Sequence, residues 1–310
     1  MARVLLLGST GTIGRATARA LLARGHEVVA FGRRSPEIPG VKARLGDVAA
    51  PGDWRGERFD AVVSCLASRT GAPADAWAVD HDAQMSALAA AKAAGVGRFV
   101  LLSAICVQRP RLAFQQAKLA FEQALIGSGL DYSIVRPTAF FKSLSGQVKR
   151  VQAGKPFLMF GDGRLTACKP ISDDDLGSYL ADCVTHPARR GRILPIGGPG
   201  PAITPQDQAE ALSKLIGRPV KVKHVPLALM DAIVAALSAG GRVSRKLADK
   251  AEFARIGRYY ATESMLVWDE AAGRYDADAT PETGSDTLFE FYAKLVSGEA
   301  SVDLGAHAAF

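Results

Sequence analysis

The chain has four cysteines in 310 residues, Cys65, Cys106, Cys168 and Cys183, and no two of them form a CxxC or similar pair. That spacing excludes the usual zinc and iron–sulfur frameworks and reads as buried thiols in a reducing compartment. The histidines, His26, His81, His186, His224 and His307, have no metal-ligand spacing either, so no metal site is expected. No apolar run is long enough to span a bilayer; the longest, 225–240, is interrupted by Asp231. Strand-like sequence begins at Arg3, which leaves no room for a signal or transit peptide and points to a cytoplasmic chain. There is no internal repeat and no low-complexity linker.

A basic stripe is missing as well. Lys and Arg number 38 against 31 Asp and Glu, a net charge of +7. The basic residues come in pairs, Arg33-Arg34, Lys149-Arg150 and Arg189-Arg190, separated by acidic stretches. A nucleic-acid surface would cluster them, so no nucleic-acid partner is expected, whereas an anionic small molecule needs only one or two pairs.

What is present is about two domains' worth of globular chain, with 48% hydrophobic and 22% charged residues. Short β-branched runs alternate with alanine-rich helical runs. Strands are expected over 3–7, 28–31, 61–65, 98–102, 132–135 and 192–195, and helices over 13–24, 77–94 and 112–128. Gly25 and Gly95 close two of these helices as left-handed caps. Apolar strands joined by helical crossovers predict an α/β fold, a doubly wound parallel sheet covered on both faces. Ser172 with Asp175 opens a further helix as an N-cap and capping-box pair. The sequence divides into a dinucleotide-binding domain, 1–140 with 170–197, and a smaller, mostly helical substrate-binding lobe, 141–169 with 198–310. The apolar stretch 225–240 reads as a buried or half-buried helix, with an apolar lid over a greasy substrate or an interfacial helix as the other readings.

Gly8-Ser9-Thr10-Gly11-Thr12-Ile13-Gly14 joins the first strand to the first helix. A glycine-rich turn there lets the backbone approach a pyrophosphate, and the helix N-terminus offers free N–H groups. An acid that would bind a ribose 2′-hydroxyl is absent after the second strand. Arg33-Arg34 stand there instead, and their guanidiniums suit a 2′-phosphate, so the expected cofactor is NADPH. Asp47 is read as an adenine contact or a turn residue. Beyond the carboxyl ends of later strands lie Cys65, Leu66 and Ala67, then Ser103, then Pro137 and Phe140, all expected around the cofactor.

Phe114-Gln115-Gln116-Ala117-Lys118 follows Ser103 on a helix. This resembles the short-chain dehydrogenase/reductase superfamily on its Rossmann fold, whose Tyr-x-x-x-Lys pairs with such a serine. Phe114 stands at the tyrosine's place and cannot donate a proton. Longer stretches look like the divinyl chlorophyllide 8-vinyl-reductase family: 63–69, 101–108, Tyr132 through Leu144, 159–163, Cys168 through Ser172, 194–200 and 256–261. The resemblance implies NADPH-dependent reduction of a vinyl group to ethyl on a tetrapyrrole, divinyl chlorophyllide or divinyl protochlorophyllide. Such a step needs a hydride and one proton but no protonated carbonyl oxygen, so it is compatible with Phe114. The missing transit peptide and the Ala/Arg/Gly-rich usage imply a photosynthetic bacterium making bacteriochlorophyll.

On this reading Lys118 orients the nicotinamide ribose or supplies nearby positive charge, Ser103 hydrogen-bonds water or cofactor, and Tyr259, with Tyr260 and Glu263 near it, is the candidate proton donor. Phe140 and Phe141 read as stacking partners of the macrocycle or as plain core, and Lys142, Lys169 and Arg136 as partners of its propionate or as surface or structural salt-bridge residues. Val225 through Gly240 offers a peripheral membrane contact. A rival reading is a non-catalytic NADP(H)-binding sensor or assembly factor, which Phe114 also suits.

Overall fold

The computed structural model describes residues 1–50, 52, 54 and 56–302. The chain opens with β1 (Arg3–Leu7), α1 (Thr12–Ala23), β2 (Glu27–Gly32), β3 (Val41–Leu45) and β4 (Ala61–Ser64). Next come α2 (Pro73–Ala76), a π-helical turn over Trp77–Ala83, and α3 (Gln84–Ala93). β5 (Arg98–Leu102), α4 (Ala113–Ile126) and β6 (Asp131–Pro137) follow, then α5 (Phe141–Leu144), α6 (Gly146–Gln152), β7 (Phe157–Phe160), α7 (Asp173–Thr185) and β8 (Arg192–Ile196). The remainder contains α8 (Pro205–Ile216), β9 (Val222–Val225), α9 (Leu227–Gly241), α10 (Arg245–Tyr260), β10 (Val267–Asp269), β11 (Arg274–Asp276) and α11 (Leu288–Ser297).

Two compact units emerge. The first contains Met1–Arg69, Pro73–Pro137 and Asp173–Ile196; the second contains Thr70–Ala72, Thr138–Ser172 and the chain from Gly197 on. In the first, seven strands run in the order β3-β2-β1-β4-β5-β6-β8, and every neighbouring pair is parallel. Strand order reverses between β1 and β4, which opens a crevice beyond their carboxyl ends. Apolar residues at nearly every position of β1, β4 and β5 are buried, as a sheet covered on both faces requires. On one face Leu5, Leu7, Phe99, Phe121 and Trp54 form the core. Elsewhere α1 and α7 pack so closely that a Cβ at Gly177 would lie 2.6 Å from the Ala16 carbonyl carbon. Gly25 and Gly95 adopt φ of 74° and 67°, the left-handed caps expected of them.

The second unit has its own core of Phe141, Val148, Phe157, Met159, Leu212 and Tyr292. Beside its helices it holds two short strand pairs that the sequence did not announce: β7 pairs with β9 in parallel, and β10 with β11 antiparallel. These strands are only three or four residues long, and β9 reads Val-Lys-His-Val with three of four residues exposed, so no apolar alternation announces them. The helix expected over 77–94 is present, its first seven residues wound as the π-helical turn and the rest as α3, and α9 takes the half-buried of its readings, with no fully buried residue.

Candidate active site

The glycine turn follows β1 directly. Gly8 has φ +73°, and a Cβ on it would lie 2.5 Å from Cys65 O; a Cβ on Gly14 would lie 2.1 Å from Gly8 O. Both glycines are required by the fold itself, because they let α1 start tightly against β1 and β4. Gly11 differs: its nearest would-be neighbour, Gly8 O, is 3.4 Å away. Thr10, Gly11 and Thr12 are exposed, and Ile13 and Gly14 are buried beneath them. No side chain caps α1, and its first turn carries no acid, so the N–H groups of that turn are free to bind an anion. Cys65 N–H donates to Leu7 O at 3.0 Å, and Ala67 is exposed just beyond.

Arg33 and Arg34 are exposed immediately after β2, and no acid stands beside them there. The free first turn of α1, the open position at Gly11 and this basic pair fit a phosphorylated dinucleotide. Asp47 shows the turn half of its two readings: its Oδ1 accepts from Ala49 N–H at 3.0 Å.

The other cluster sits on α4. Phe114, Lys118 and Glu122 recur every four residues, so they share one face of the helix. Phe114 is buried. Lys118 Nζ donates to Asp80 Oδ1 at 2.9 Å, and Ser68 N–H donates to the same oxygen at 3.2 Å. Asp80 comes from the π-helical turn, a feature frequent at functional sites, and its Oδ2 is buried with no partner. Ser103 lies just past β5, and its hydroxyl donates to Glu122 Oε1. Arg136 of β6 closes the network, its Nε donating to Glu122 Oε2 at 3.1 Å. Arg136 thus shows the salt-bridge half of its two readings: its guanidinium neutralises a buried carboxylate of its own unit. Asp80, Gln84, Ser103 and Lys118 surround a gap too small to hold a water molecule.

Asp80 and Glu122 were missed by sequence reasoning. Glu122 had a visible signal, a charge one helical turn after Lys118 in an otherwise apolar stretch. Asp80 lies 38 residues from Lys118, and nothing local marks it.

In the second unit, Thr138 Oγ1 donates to Lys169 O, and Lys169 Nζ lies 3.3 Å from Thr280 O and 3.4 Å from Glu282 Oε2. The ammonium expected to meet a propionate is thus engaged by its own unit. Gly198 packs on this segment so tightly that a Cβ would lie 1.9 Å from Pro170 O, which explains the glycine pair after β8. Phe141 shows the core half of its two readings: its ring is enclosed in the unit's core, 5.6 Å from that of Phe291. Phe140 is half-buried and bridges to Ile171, and Lys142 is half-buried. Tyr259 is buried, its ring edge-on to that of the exposed Tyr260 at 5.7 Å. Glu263 accepts from the Tyr275 hydroxyl at 2.6 Å. Among the described residues no group of acids, histidines and cysteines could hold a metal.

The NAD(P)H-binding family model matches residues 8–187. A chloroplastic divinyl chlorophyllide a 8-vinyl-reductase of Oryza sativa subsp. indica is 46% identical over 331 residues, 99% of this chain and 82% of the relative. A photosystem II assembly factor of Guillardia theta is 24% identical over 73% of this chain and 74% of its own length. Among solved structures, the NADPH complex of an Escherichia coli quinone oxidoreductase superposes with a TM-score of 0.67 at 18% identity, covering 94% of this chain and 99% of that one. The last shows a shared fold. With nearly half of its residues matched from end to end, the chain belongs to the divinyl chlorophyllide a 8-vinyl-reductase family.

Proposed function

We propose that this protein reduces the 8-vinyl group of divinyl chlorophyllide, or of divinyl protochlorophyllide, to ethyl at the expense of NADPH. The observation that carries the reading is the near-full-length match to a vinyl reductase. The α4 face supports it, because a lysine is held in place while the phenol that a ketone reductase would use is replaced by Phe114. NADPH supplies the hydride when bound. The free N–H groups of α1 hold its pyrophosphate, and Arg33 and Arg34 hold its 2′-phosphate by charge-assisted hydrogen bonds. Lys118, fixed by Asp80, orients the nicotinamide ribose, and Cys65, Leu66, Ala67, Pro137 and Phe140 border the cofactor.

Tyr259 is the proposed general acid for the second carbon of the vinyl group. Phe140 is the proposed stacking partner of the macrocycle, and Lys142 the partner of its propionate. The alanine-, arginine- and glycine-rich usage supports a bacterial source.

The test is to mix purified protein with NADPH and each divinyl pigment, then identify the product by chromatography. Monovinyl product with NADPH, and at least about tenfold less with NADH, is the expected result. Arg33→Glu with Arg34→Glu should erase that preference. Tight NADPH binding without conversion of either pigment would leave the sensor or assembly-factor reading instead.

A further inference from the structure

The helix α9 presents a surface that the fold does not use. Residues 227, 230, 234, 237, 238 and 241 are half-buried at the three- and four-residue spacing of one helical stripe, and α9 packs side by side with α10. The opposite face contains Ala228, Leu229, Ala232, Ile233, Ala236 and Ala239, all exposed. Leu229 is 53% and Ile233 46% exposed, and Val243 at the tip of the hairpin is 90% exposed. The exposed polar side chain of α9, Asp231, accepts from Arg258 Nε at 2.7 Å. Gly240 and Gly241 close the hairpin tightly: a Cβ at Gly240 would lie 2.7 Å from Leu247 Cδ1.

Charge brackets this apolar face. Arg218, Lys221 and Lys223 precede it and Arg242, Arg245 and Lys246 follow it, all exposed. Among the described residues none of the six is in an ion pair, and Asp231 is the single acid between 218 and 246. We propose that the outer face of α9, with these basic residues at both ends, docks the protein on an anionic lipid bilayer surface. The fifteen residues of α9 extend about 22 Å at 1.5 Å per residue, short of the roughly 30 Å hydrocarbon core. Among the described residues no helix is long and apolar enough to cross a membrane, so α9 lies along the surface. There Leu229, Ile233 and the exposed alanines meet the acyl boundary and the flanking cations meet lipid phosphates. A second copy of the chain is a poorer occupant, because a twofold contact through this face would bring the six cations against themselves.

Flotation of the whole protein with vesicles tests this. Wild type should float with phosphatidylcholine vesicles containing about 30 mol% phosphatidylglycerol and bind pure phosphatidylcholine at least about tenfold more weakly. Binding should fall as NaCl rises from about 0.1 M to about 0.5 M. Leu229→Glu with Ile233→Glu, and separately Lys221→Glu with Lys223→Glu, should each weaken binding about tenfold or more while NADPH binding persists. A wild type that stays unbound, or a Leu229→Glu/Ile233→Glu protein that floats as wild type does, overturns the proposal. So does a wild-type dimer that ignores vesicles and becomes monomeric in that variant, which would assign the face to a second copy.

Discussion

Asp80 gives one carboxylate oxygen to the ammonium of Lys118 at 2.9 Å and keeps the other buried without a partner. The pair joins a π-helical turn to α4, so the direction of Lys118 depends on a residue outside the reductase helix. Removing one member of a buried pair costs about 3–5 kcal/mol, because the other charge is left uncompensated. Asp80→Ala should lose roughly that much in denaturant unfolding. Asp80→Asn keeps a hydrogen-bond acceptor and should fold, but with Lys118 held less firmly its kcat should drop up to about 100-fold. Wild-type turnover in Asp80→Asn would show that Lys118 is positioned by something else.

Glu122 sits where Ser103 and Arg136 converge. Glu122→Leu alone strands the Arg136 guanidinium, and Arg136→Met alone strands the Glu122 carboxylate; each should cost about 3 kcal/mol or more. The double variant removes both charges, so its loss should fall at least about 1 kcal/mol short of the sum of the single losses. Chemical denaturation of the four proteins measures that coupling. Additive losses would mean that the two side chains act independently.

These two networks mark how far the sequence could be read. The parallel sheet was legible because β1, β2, β4, β5 and β6 contain apolar runs, and helices between them end at the glycine caps Gly25 and Gly95. The phosphate turn was legible because strand, glycines and helix are contiguous. Tertiary partners were not. Ser103 reads as a free hydroxyl until Glu122 is seen to accept from it, and Arg136 reads as a substrate cation until the same carboxylate claims it. Phe140-Phe141 reads as a stacking platform, yet one ring faces the core beside Phe291. Nothing in the pair of letters says which.

The three glycines of the phosphate turn should separate into two behaviours. Gly14→Ala places a methyl 2.1 Å from Gly8 O, and Gly8→Ala adds a left-handed φ to a 2.5 Å approach to Cys65 O. Both variants should be recovered poorly or melt well below wild type. Gly11→Ala meets nothing closer than 3.4 Å and should keep its melting temperature within a few degrees. Its methyl faces the space read as the pyrophosphate site, so the Kd for NADPH should rise about tenfold or more, a loss of about 1.4 kcal/mol. Calorimetric titration beside a thermal melt distinguishes the two classes. A Gly11→Ala protein with unchanged affinity would move the phosphate site away from this turn.

His26 sets a limit on acid stability. It is buried, and its Nδ1 accepts from the Ala2 N–H at 3.1 Å, a bond that only the neutral ring can make. Desolvation by burial, then the nearby chain N-terminus and Arg24, hold its pKa below the ordinary 6.5. The unfolded chain therefore binds a proton that the folded chain refuses, and stability rises with pH through this window. The contribution is fully present above pH 6.5 and shrinks as the pH falls from there toward the lowered folded value. Replacing His26 by Gln removes the titration while keeping an acceptor near Ala2. Unfolding free energies of wild type and His26→Gln, measured from neutral pH downward, should diverge from parallel below about 6.5, with wild type falling more steeply. Parallel curves across that range would show that His26 has the same proton affinity in both states.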